Sequence, residues 1–100
     1  MLSFNLDEVR SKLKRAANET DLESAKDAAK RAKNALEEAA YSARDCGCDA
    51  AAMEFDSAAT KARRARNASN ADEFVDELNR AIRNYNSAID FLRLCSPKKD

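Results

Sequence analysis

The sequence predicts an all-α protein, an antiparallel up-down bundle of three long helices and a short N-terminal helix. Three observations carry this prediction. Alanine is the most abundant residue, 21 of 100, and it is the strongest helix former because it loses no side-chain entropy. One glycine and one proline leave little room for sheets closed by tight hairpins. Apolar residues recur three and four apart over long windows, and capping signals separate those windows.

The first helix is expected over residues 6–17. Asn5 and Glu8 have the spacing of a capping box, and Phe4 with Val9 can staple it. Leu6, Val9, Leu13 and Ala16 make its apolar stripe, and Asn18-Glu19-Thr20 interrupts it. Thr20 with Glu23 forms a second box and opens a helix over 21–45. In that helix Leu22, Ala25, Ala29, Ala32, Leu36, Ala39, Ala43 and Cys46 hold an unbroken heptad seam, widened by Ala28, Ala35 and Ala40.

Gly47 is the only glycine and stands where a left-handed residue would end the second helix. Asp49 is the expected cap of a third helix over 50–66, with a seam of Ala51, Phe55, Ala58, Ala62 and Ala65. The basic run from Lys61 to Arg66 complements the negative end of its dipole. Asn67 to Asn70 form the next loop, and Asn70 with Glu73 makes a third box. The fourth helix is expected over 71–95. Its seam reads Val75, Leu78, Ile82, Tyr85, Ile89 and Leu92, with a second row of Phe74, Ala81, Ala88, Phe91 and Cys95. Pro97 stops it, and Lys98-Lys99-Asp100 is a solvated tail. Short loops make sequential helices antiparallel, and residues 1–100 read as one domain.

Composition excludes several function classes. The 18 basic and 18 acidic residues balance to a net charge of zero, so no global field favours nucleic acid. No window approaches the roughly 18 apolar residues of a membrane span. Without histidine, a Ser-His-Asp triad and the Glu-x-x-His pairs of di-iron bundles are ruled out. No glycine-rich phosphate loop is present. The sequence therefore points away from an enzyme.

One feature carries localised chemistry. Asp45-Cys46-Gly47-Cys48-Asp49 forms the tip between the second and third helices. In an up-down bundle the fourth helix returns to that end and finishes at Cys95. A disulfide from Cys95 to Cys46 or to Cys48 is the expected chemistry, because an alanine-rich core is short of buried area and small scaffolds use covalent staples. It implies a secreted or periplasmic chain from which a signal peptide has been removed; the alternative is cytoplasmic. The odd cysteine is then a buried thiol or pairs with another chain. The alternative chemistry is a metal or thiol-redox site. Cys46, Cys48 and Cys95, with Asp45 and Asp49 beside them, offer ligands for Zn or Cu, although C-x-C spacing is a weak zinc signature. For redox work Cys48, just before a helix N-terminus, is the better nucleophile.

The remaining features read as surface. The Lys61–Arg66 run is expected to be compensated by Asp72, Glu73, Asp76 and Glu77. Glu37, Glu38, Asp45, Asp49, Glu54 and Asp56 make the cysteine end acidic, with Arg44 opposing them. Asn18-Glu19-Thr20 and Asn67-Ala68-Ser69 match the glycosylation acceptor pattern in loops. Tyr85 is expected in the core and Tyr41, off the seam, on the surface or in an inter-helix contact, and Tyr41 with Ala28 and Ala35 forms a flank for self-association. Asn79, Asn84 and Asn86 give the fourth helix a polar side. The function that follows is a structural or protein-interaction module with an unidentified protein partner or a second copy, no nucleic acid and no membrane insertion.

Overall fold

A computed structural model describes residues 10–12, 14, 15 and 21–95. Among them 89% are helical and none lies in a strand. Residues 10–12, 14 and 15 are helical and belong to the short N-terminal helix, α1. The long helices are α2 (Leu22–Asp45), α3 (Asp49–Arg66) and α4 (Ala71–Leu94). The expected Asn5 cap, the Phe4–Val9 staple, the apolar stripe of the first helix, the Asn18–Thr20 tripeptide and the tail from Pro97 lie outside the described residues.

The helix ends follow the local chemistry, with three corrections. Asp21, not Thr20, caps α2: its carboxylate accepts from the Ser24 N–H and hydroxyl, each at 3.0 Å. An ionised acceptor at the positive end of the helix outcompetes a neutral hydroxyl. At the start of α3, Cys48 is the cap and Asp49 lies inside the first turn. The Cys48 carbonyl already accepts from the Ala52 N–H at 3.0 Å, so the helix begins one residue early. Before α4 the Asn70 side chain accepts from the Glu73 N–H at 2.8 Å, as expected. Glu73 returns its carboxylate to the Ser69 N–H, one residue upstream of the box position, at 2.8 Å.

The turn between α2 and α3 is a complete Schellman motif. Gly47 has φ +84°. Its N–H donates to the Arg44 carbonyl at 3.0 Å, and the Cys48 N–H donates to the Ala43 carbonyl at 2.8 Å. These bonds satisfy two carbonyls that the helix end would otherwise orphan.

Of the twenty-three buried core residues, seventeen are alanine. The volume comes from a few large side chains: Leu36, Phe55, Phe74, Leu78 and Tyr85. The Phe55 and Tyr85 rings meet in a tilted pair with centroids 6.3 Å apart. The predicted seams of α2 and α3 are the buried ones, with Leu22 and Cys46 half-buried at the ends of the α2 row. On α4 the seam is rotated. Phe74, Leu78, Ala81, Tyr85 and Ala88 are buried, Ile82, Ile89 and Leu92 are half-buried, and Val75 and Phe91 are exposed. The buried row keeps 3-4 spacing but passes through the two alanines, because small residues let α4 sit close to α3.

The helices do not pack equivalently. α3 runs in close contact with both neighbours, whereas α2 and α4 approach each other at few positions. α3 is therefore the central element, and anything on α4 finds α3 before it finds α2. The bundle is elongated, 49 × 18 × 16 Å.

Candidate functional site

The up-down path brings the three cysteines to one end, each at a helix boundary. Cys46 ends α2, Cys48 caps the start of α3, and Cys95 ends α4. Cys48 and Cys95 are joined by a disulfide with a Cα–Cα distance of 5.9 Å and a sequence separation of 47. The distance falls in the ordinary range for such bonds. The choice of Cys48 over Cys46 follows from the packing. Cys48 belongs to α3, the direct neighbour of α4, while Cys46 belongs to α2, which α4 barely reaches.

Cys48 is buried and Cys46 is a half-buried free thiol. Asp45 and Asp49 flank the turn and are exposed. The ligand set of Cys46, Cys48, Cys95, Asp45 and Asp49 thus loses two thiolates to the disulfide. Among the described residues no group of three or more Cys, Asp or Glu side chains converges to hold a metal ion.

Charged contacts tie the same end together. Arg44 Nη2 on α2 donates to Asp56 Oδ2 on α3 at 2.7 Å. Asn84 Nδ2 on α4 donates to Glu54 Oε1 on α3 at 3.0 Å in a half-buried position. Asn84 therefore serves an internal contact, while Asn79 and Asn86 are exposed. Tyr41 is 72% exposed, as its off-seam position predicts, but Ala28 and Ala35 are buried within the chain. The flank expected for self-association is reduced to the tyrosine. Among the described residues no helix is long and apolar enough to cross a membrane.

A further correction concerns the basic end of α3. Two of the four carboxylates expected to compensate it are engaged elsewhere: Asp76 pairs with Arg80 on its own helix at 3.3 Å, and Glu73 serves the cap. Among the described residues no ion pair forms at Arg63, Arg64 or Arg66. Counting charges along the chain places the acids of α4 after the bases of α3, but sequence adjacency across a turn does not make the side chains meet. Comparison with protein-family models, with curated proteins and with solved structures gave no match.

Proposed function

We propose that residues 1–100 form a single-domain, non-enzymatic helical module that serves a structural or protein-interaction role in an oxidising compartment, secreted or periplasmic. The observation that carries this reading is the Cys48–Cys95 disulfide, which ties the start of the central helix to the end of its neighbour. Disulfides persist where the environment is oxidising, and small domains with thin cores depend on them. The core here is thin because alanine dominates it. The zinc or copper alternative requires Cys48 and Cys95 to be reduced first, whereas a thiol-redox role would use the disulfide as its oxidised form.

The test is an intact-mass measurement on natively purified protein with thiol alkylation, before and after reduction. One adduct, mapped to Cys46, followed by three adducts after reduction supports the stapled module. Three adducts without reduction, or retention of zinc or copper, overturns it in favour of the metal-binding alternative.

A further inference from the structure

We propose that the outer surface of the α2–α3 pair, at the end away from the disulfide, is a docking face for a short acidic polypeptide segment of a partner protein. The proposal deepens the interaction-module reading and rests on it. Its basis is a bounded row of cations. On α2, Glu23, Lys26, Lys30, Lys33 and Glu37 follow one another at spacings of three and four, so they share one stripe. On α3, Arg63 and Arg66 are spaced by three.

Two contacts place the α2 stripe beside α3. Lys33 and Arg63 line the same shallow depression, with Ala59 and Thr60 at its floor. Lys26 Nζ donates to the Ala68 carbonyl at 3.1 Å, at the end of α3. Lys30 lies between Lys26 and Lys33 on the stripe. Lys26 and Lys33 are half-buried. Among the described residues Lys30, Arg63 and Arg66 form no ion pair, and Lys33 meets Glu37 only at 3.8 Å. Glu37 and Asp56 border Lys33 and Arg63 at one edge of the depression, and the unpaired cations of the face among the described residues are Lys30, Arg63 and Arg66.

The boundaries decide the class of partner. From Lys26 to Lys33 the row spans about 10 Å at 1.5 Å per residue. Glu23 closes it at one end, and Glu37 with Asp56 closes it at the other. A nucleic acid carries a phosphate about every 3.4 Å along each strand without interruption, and its backbone would run onto those carboxylates. A polypeptide can present two or three carboxylates and then stop. No aromatic side chain belongs to the row, which leaves no platform for base stacking.

The probe is a fluorescein-labelled peptide of three consecutive glutamates flanked by glycine-serine segments, read by anisotropy against the oxidised protein. We expect saturable binding that weakens at least about tenfold in the Lys30→Glu/Arg63→Glu double variant, equivalent to about 1.4 kcal/mol. Raising NaCl from about 0.02 to about 0.3 M, which shortens the Debye length several-fold, should weaken it similarly. The Arg93→Glu variant, at the far end of α4, should bind as the parent does. Circular dichroism confirms that the variants stay helical. Absence of saturable binding, equal loss in Arg93→Glu, or tighter binding of a labelled single-stranded DNA would overturn the proposal. Those outcomes leave the alkylation pattern of the cysteines unchanged, so failure of the docking face is distinguishable from failure of the stapled-module reading.

Discussion

Removing the Cys48–Cys95 bond should cost this bundle a large share of its stability. The perturbation is the Cys48→Ala/Cys95→Ala double variant, with Cys46→Ala as the control that keeps the bond. The bond closes a loop with a sequence separation of 47. In the chain-entropy model a loop of that length contributes about 4 kcal/mol by restricting the unfolded chain. Domains of this size are stable by about 5–15 kcal/mol, so the loss is not a minor correction. At about 4–8 °C per kcal/mol for 60–100 residues, the midpoint should fall by about 16 °C or more. The assay is thermal unfolding followed by circular dichroism, repeated on the parent with a reductant. The reduced parent and the double variant should agree within a few degrees. The control should move by less than about 8 °C, because truncating a half-buried thiol forfeits about 1 kcal/mol or less of apolar burial. A fall of under about 4 °C in the double variant would refute the reasoning, since it would mean the bond restricts the unfolded chain far less than its loop length implies.

Other perturbations test the packing and the turns. Phe55→Ala should destabilise by about 3–5 kcal/mol in chemical denaturation, because Phe55 is fully buried and the surrounding alanines offer nothing long enough to refill the space. Gly47→Ala should cost about 1–2 kcal/mol from the left-handed backbone alone, as a Cβ there meets nothing within 4 Å. Asn70→Ala should cost about 1 kcal/mol by leaving the Glu73 N–H without its cap. A double-mutant cycle on Arg44 and Asp56 should give a coupling of at most about 1 kcal/mol despite the 2.7 Å contact, because both side chains are about half exposed.

Much of this architecture is legible from residue order, and the exceptions have physical causes. On α2 and α3 the contrast between alanine and charged residues is nearly binary, so only one face can be buried. On α4 two apolar rows lie side by side, and hydrophobicity alone ranks Val75, Ile82 and Ile89 above Ala81 and Ala88. The structure buries the alanines, because proximity to α3 rewards small side chains along the line of closest approach. The cysteine pairing is open in sequence for a related reason. Periodicity places Cys46, Cys48 and Cys95 at one end but does not say which pair of helices is in closest contact. Once α3 is central, the bond falls to Cys48. Residue order likewise does not show that Asp76 and Glu73 turn away from the basic end of α3.

The place of the disulfide answers a specific weakness of this fold. The last turn of α4 holds the exposed Phe91 and Leu94, and only Leu92 and Cys95 there pack partly against the core. The expected reward for burying the last turn is therefore small, at roughly 25 cal/mol per Å² of apolar surface. Helix ends with few buried contacts open at low free energy. A covalent bond from Cys95 to the buried Cys48 fixes that turn where apolar burial is weakest, and at the opposite end the Asn70 cap and the buried Phe74 fix the other end of α4. It follows that loss of the bond should not loosen the bundle evenly. Amide exchange in the reduced protein should rise first in the last turn of α4 and fade toward Ala81, with the α2–α3 pair protected longest. Uniform loss of protection along all three helices would show instead that the bundle opens as one unit and that the bond acts only on the unfolded chain.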